Sequence, residues 1–176
     1  MSELRFYSFV NFYLSSIQQG VQSFHVCHEM FNKYQDDPSV PSSHPSDKAY
    51  RQLREWSKYH KTLIVLNGGA NTDIEDTYYL LEKLSKNLSI PLPFAKFHED
   101  EKSLGGIMTA CGCVLPQEIY EATDWRKAAA KLDWSEESLN RNSFHYVDSE
   151  SNLTSYHEGS AEHELITMIK SCSLAR

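Results

Sequence analysis

The segment KTLIVLN (61–67) ends at Gly68-Gly69 and runs into Thr72-Asp73-Ile74-Glu75. A short run of leucine and β-branched residues reads as a buried strand. The glycines supply a turn, and a threonine followed three residues later by glutamate matches a helix capping box. Beyond it, Ile74, Tyr78, Leu81 and Leu84 recur at helical spacing. A buried strand that turns directly into a capped helix restricts the chain to the α/β classes.

The neighbouring segments agree. RFYSFVNFYL (5–14) is aromatic and β-favouring and reads as a first strand. Ser15 or Ser16 caps a helix reaching about Tyr34. One stripe of that helix, Ile17, Val21, Phe24, His28 and Phe31, is expected to face the core; Gln18, Gln22, His25 and Glu29 form a polar stripe. The three prolines of 35–47 make a loop. A short helix follows over 48–60, with Tyr50, Leu53 and Trp56 apolar and, on another face, Arg51, Arg54 and Lys58, a basic stripe able to hold phosphates but more often just the wet side of a helix. After IPLP (90–93), PFAKFHED begins a third strand and GGIMTACGCVL (105–115) a fourth. Pro116 suits the first position of a helix through QEIYEA. DWRKAAAKLD reads as a short helix, FHYVDSESNLTSYH as a hairpin and AEHELITMIKS as a closing helix. The expected division is an α/β domain over 1–124 and an extension over 125–176 packed on it.

Composition bounds the function. The 176 residues include 40% hydrophobic side chains, 10 Tyr, 8 Phe and 3 Trp, enough for a packed core. No apolar run is long enough to span a bilayer, so no membrane partner is expected. The N-terminus lacks the basic region and cleavage site of a signal peptide. Cys27, Cys111, Cys113 and Cys172 then read as reduced thiols of a cytoplasmic protein. Residues 1–66 carry 7 Lys/Arg against 6 Asp/Glu, and 67–176 carry 10 against 18, for a net charge of −7. Such a chain lacks the basic field that steers polyanions.

Several clusters invite chemistry. His25, Cys27 and His28 lie close in sequence, but the two stripes point the histidines in different directions, and Cys111 and Cys113 do not form a CxxC clamp. Neither a metal site nor a cofactor is expected. Asn67, Gly68, Gly69, Asn71 and Thr72, between strand and helix, combine close backbone approach with the free amides of a helix start. They form a candidate ligand loop or, equally, a plain tight turn. His98 and Asp100, in the charged tip FHEDE, can contact polar groups or serve as an acid–base pair; a solvated turn is the commoner use of such a tip. No GxGxxG, Walker or GxSxG motif is present.

Taken together, strand 5–14, helix QQGVQSFHVCHEMF, strand TLIVLN and hairpin FHEDEKSLGGIMTACG resemble the type-2 peptidyl-tRNA hydrolase family over residues 4–122. Gly20 and His28 fall on that family's helix glycine and histidine. Asp100 or Glu99 falls near its loop aspartate, and Thr109 near the threonine of its last strand. The resemblance implies a three-layer α/β/α fold with a small mixed four-stranded sheet. It also implies a cleft edged by Gln18, Gln22, His25, the 67–72 turn, His98 and Asp100. The family's helix lysine is Val21 here and its glutamine is His25; valine cannot supply charge to a tRNA. The phrases NFYLSSIQQGVQ, IVLNGG and FHEDEKSLGG are similar to phage-encoded proteins of this fold.

Two functions follow as expectations. The first is non-catalytic binding of a small nucleotide-derived, phosphate- or ribose-bearing ligand, which in a phage would suit sequestration of a host immune signal inside the infected cell. The alternative is a hydrolase of peptidyl-tRNA or a related nucleotide ester. There His25 or His98 is the base and Asp100 its partner, with tRNA as substrate. A homodimer is compatible with either.

Overall fold

A computed structural model describes residues 2–35, 39, 41–134 and 138–175. The polypeptide divides into two compact units, one of Leu4–Leu115 with the C-terminal residues from Cys172, the other of the residues up to Glu3 with Pro116–Ser171.

The larger unit is an α/β domain. In chain order it holds β1 (Leu4–Val10), α1 (Ser16–Lys33), α2 (Pro45–Glu55) with a π-helical turn (Trp56–His60), β2 (Thr62–Asn67), α3 (Asn71–Ser85), β3 (Phe94–His98), α4 (Glu101–Leu104) and β4 (Met108–Pro116). The strands form one mixed sheet in the order β2-β1-β4-β3. β1 and β2 are parallel, from Arg5 opposite Thr62 to Val10 opposite Asn67; β3 and β4 are antiparallel, with His98 opposite Met108. Asn11 N–H donates to Thr109 O at 3.2 Å. The ends of β1, β2 and β3 and the start of β4 therefore share one edge of the sheet. Gly112 makes the close approach of β4 to β1 possible, since a Cβ there would lie 2.6 Å from Tyr7 O.

Alternation along β1 gives each face of the sheet its own core. Leu4, Phe6 and Val10 pack with Val26 and Met30 of α1 and with Leu53 and Trp56, the Phe6 and Trp56 rings meeting edge-on at 5.4 Å. On α3, Ile74, Tyr78, Leu81 and Leu84 are the buried residues, as their spacing predicts. Ile74 O accepts from the Cys111 thiol at 3.6 Å, and Tyr78 packs on Phe94 at 5.6 Å. The outer edge of β2 is covered by the chain's own tail: Asn67 N–H donates to Ser173 O at 2.9 Å and Ala175 N–H to Val65 O at 3.0 Å. Such pairing removes an open template for foreign strands.

Five expectations need correction. The stripe Ile17, Val21, Phe24 and His28 does not face the core. Ile17 is 82% exposed and Phe24 67%, His28 is exposed and Phe31 half-buried. The buried residues of α1 are Gln19, Gln22, Ser23, Val26 and Met30. Ser23 Oγ donates to Gln19 O at 2.8 Å and Gln22 is bonded to β4, so the polar members of this face enter the interior already satisfied. Second, β2 is an edge strand in which Leu66 alone is buried. Third, β1 stops at Val10, and Asn11–Leu14 form a turn closed by Leu14 N–H to Asn11 O at 3.3 Å. Fourth, α3 starts two residues earlier than its capping-box signature, with Ala70 as N-cap and the Asp73 carboxylate accepting from Ala70 N–H at 2.8 Å. Fifth, Pro116 is not the first residue of the next helix: it ends β4 in extended conformation and serves as the N-cap.

The smaller unit contains α5 (Gln117–Tyr120), α6 (Trp125–Leu132), a hairpin of β5 (Phe144–Val147) and β6 (Leu153–Tyr156), and α7 (Ala161–Ser171). The hairpin turn is organised by Asp148, which accepts from the backbone of Glu150 and Asn152 and from the Asn152 side chain. These bonds hold its carboxyl below the usual range. His145 is buried with both ring nitrogens occupied, by Ser155 Oγ at 2.9 Å and Asn140 O at 3.0 Å. Among the described residues, no helix is long and apolar enough to cross a membrane.

Candidate functional site

The residues singled out in the sequence stand along one edge of the larger unit's sheet, in two groups. β2 and β3 are three strand spacings apart, about 14 Å, with the ends of β1 and β4 between them.

The first group is the turn between β2 and α3. Asn67 Oδ1 accepts from Gly69 N–H at 3.0 Å, closing the turn on itself. Gly68 is buried and donates to Val10 O at 2.8 Å; a Cβ there would sit 3.0 Å from Val10 N and from Ile74. Gly69 adopts φ +81°, a left-handed conformation that favours glycine. Asn71, half-buried, and Thr72, exposed, are the first two residues of α3. Asp73 takes the Ala70 amide and brings a negative charge to the helix start, where an incoming anion would compete with it.

The second group gathers where α1 meets the β3–β4 hairpin. Gln22 is the hub: its Nε2 donates to Glu99 Oε1 at 2.5 Å and its Oε1 accepts from Thr109 Oγ1 at 2.9 Å. Three residues on, His25 lies flat on Phe97, with centroids 4.4 Å apart and 12° between planes. His98 is exposed, and its Nδ1 donates to Gly106 O at 3.0 Å. Asp100 is the N-cap of α4 and accepts from Lys102 N–H at 2.7 Å. Gln18 stands apart in the first turn of α1, where its Oε1 accepts from Ser15 N–H at 3.0 Å in a capping box. Gly20 is exposed, and a Cβ there would meet nothing within 4 Å.

Between the groups, the turn after β1 fills the edge. Phe12 N–H donates to Gly69 O at 3.1 Å, and Asn11 Nδ2 to Tyr13 Oη at 2.9 Å. Asn11 Oδ1 is buried without a partner among the described residues. The Phe12 and Tyr13 rings remain largely exposed.

Beside the second group lies a groove of about 440 Å3, walled by Glu29, Lys33, Tyr78, Lys96, Phe97 and His98. The Lys96 ammonium lies 4.6 Å from the Tyr78 ring centroid. Phe97, Lys33 and Lys96 were not singled out from the sequence. The signal for two of them is alternation: on a strand over 94–98, Phe97 points to the α1 face and Lys96 to the α3 face. Lys33 carries no such mark, because it comes to the groove only through the rotation of α1.

Chemically, this edge offers an aromatic platform, amides and carboxylates that already hold partners, and two lysines in an adjoining groove. Among the described residues, no three His, Cys, Asp or Glu side chains come together as a metal site, and the four cysteines are free thiols. Burial pushes the Cys111 and Cys113 thiols well above their ordinary range, which keeps them protonated and unreactive. Neither protein-family models nor curated protein sequences provide a match to this chain.

Proposed function

We propose that the chain binds, without chemical conversion, a small nucleotide-derived ligand at this sheet edge. The observation that carries the reading is the His25–Phe97 stack standing beside a groove that contains both Lys33 and Lys96. Stacked rings offer a π-face to a base, and ammonium groups neutralise phosphate. Gln22, already bonded to Glu99 and Thr109, holds the platform in place, and Asn71 and Thr72 offer polar groups at the far end of the same edge to a ligand that spans it.

Binding is favoured over hydrolysis by the state of the candidate acid–base groups. A general base needs a free lone pair within reach of the proton that it removes. His98 donates from Nδ1 to Gly106 O, so its free lone pair is on Nε2, but the Asp100 carboxylate that would orient it is used as the cap of α4 and the two side chains do not bond among the described residues. In a phage setting, enclosure of a host signalling nucleotide would use the same features.

The test is to incubate the full chain with a nucleotide panel and with peptidyl-tRNA, then denature it and identify what is recovered by mass spectrometry. Intact nucleotide in stoichiometric amount is expected, with capture weakened by His25→Ala, Phe97→Ala and Asn71→Ala. Turnover of peptidyl-tRNA at catalytic protein concentration would replace this reading with the hydrolase. Capture unaffected by all three substitutions would remove the proposed site.

A further inference from the structure

A different cavity lies at the opposite end of β3, where the chain enters the strand. The end of α1, the start of α2 and the segment after α3 enclose about 500 Å3. Lys33, Lys48 and Lys86 line it, together with an apolar floor that includes Tyr34, Leu92 and Phe94, and among the described residues no acidic side chain is in its wall. The chain has 24 acidic residues against 17 basic ones, so three lysines around one void, with no carboxylate among its described lining residues, run against its composition. None of the three holds a carboxylate within ion-pair distance among the described residues.

The geometry of Lys33 shows how the floor is built. Its Nζ donates to Phe94 O at 3.0 Å and sits 3.4 Å from the Phe94 ring centroid. Tyr34 Oη lies 3.5 Å from Leu92 O and 3.4 Å from Phe94 N. Burial lowers the pKa of Lys33 to about 8; the Glu82 carboxylate opposes the shift and Lys96 adds to it. An anion seated against this lysine would relieve the cost of keeping it charged. Solvated lysines alone would be an ordinary surface feature. Lysines ringing a void with an aromatic floor complement a molecule with a charged head and an apolar body.

We infer that this cavity is an anion site that takes a phosphate monoester carried on an apolar body, the phosphate on Lys48 and Lys86 and the body on the Tyr34–Leu92–Phe94 floor. The inference does not rest on the nucleotide reading, because Lys48 and Lys86 take no part in the groove beside His25.

Calorimetric titration of the full chain with 1-naphthyl phosphate, inorganic phosphate and 1-naphthol tests it. The naphthyl ester is expected to bind at least tenfold more tightly than either fragment and to raise the pKa of Lys33 in an NMR titration. The double variant Lys48→Met/Lys86→Met should lose at least tenfold in affinity, while Lys48→Arg/Lys86→Arg retains binding and both keep the thermal midpoint. Co-sedimentation with phosphatidic-acid vesicles asks whether the ester is a lipid headgroup. Capture of vesicles or of the soluble ester supports the site and names its source. No saturable binding in either arm, affinity unchanged in the methionine variant, or equal affinity for inorganic phosphate would overturn it.

Discussion

The two ends of β3 use polar residues in opposite ways. At the His98 end, Gln22, Glu99, Thr109, His98 and Asp100 are engaged with one another or with the backbone. At the Phe94 end, Lys48 and Lys86 have no carboxylate partner among the described residues, and Lys33 is held by a carbonyl and two aromatic rings. Polar groups that satisfy each other stabilise a fold; charged groups left around a void are available to a ligand. The difference teaches where mutation should cost stability and where it should cost binding alone.

The largest effect is expected at the hub. Gln22→Leu would strip partners from the Glu99 carboxylate and the buried Thr109 hydroxyl, costing about 3 kcal/mol in urea unfolding. A loss below about 1 kcal/mol would mean that the hairpin relaxes to recover its hydrogen bonds, and the contrast between the ends would weaken.

Tyr34→Phe, at the other end, should cost about 1 kcal/mol through the lost contacts to Leu92 and Phe94. Its signature is the pH profile. Burial holds the Tyr34 phenol at about 12, against the ordinary 10.0. Its contribution to stability is therefore complete below pH 10.0 and is lost as pH rises towards 12. Lys33 acts in the reverse direction: its folded value of about 8 lies below the ordinary 10.5, so the folded state binds fewer protons and stability rises between those values. Chemical denaturation as a function of pH should show the rise in wild type and in Tyr34→Phe. The loss above pH 10.0 should be smaller in the variant. An unchanged profile would place the phenol in water.

His25→Ala should cost roughly 0.5–1.5 kcal/mol, the worth of a ring stack. A cost near zero would mean that Phe97 alone forms the platform. Smallest of all, Lys48→Met and Lys86→Met should each stay within about 0.5 kcal/mol of wild type. A larger loss would show that these lysines belong to the fold after all.

The readable part of this molecule was its local patterning. The strand–turn–helix order, the buried positions Ile74, Tyr78, Leu81 and Leu84 and the hairpin of the smaller unit follow from spacing, capping and turn residues. The buried face of α1 is ambiguous in the sequence because that helix carries two stripes with apolar members. Ile17, Val21 and Phe24 make the more hydrophobic one, yet Val26 and Met30 are inside. The choice depends on what the sheet presents: Thr109 on β4 bonds Gln22 and so turns a polar stripe inward. The cavity at the Phe94 end was invisible for a related reason. Lys33, Lys48 and Lys86 are far apart in the chain, and no motif links them.

FHVCHEMF (24–31) shows the division in eight residues. Helical structure there follows from capping and periodicity, forces that act within a few residues of the chain. Which of its side chains are buried does not. Phe24 and His28 face outward, Val26 and Met30 lie in the core, and His25 rests on a ring from a strand about seventy residues later. Local chemistry selects the element. Only the long-range fit between α1, β3 and β4 selects its orientation, because that is where buried polar groups must find partners.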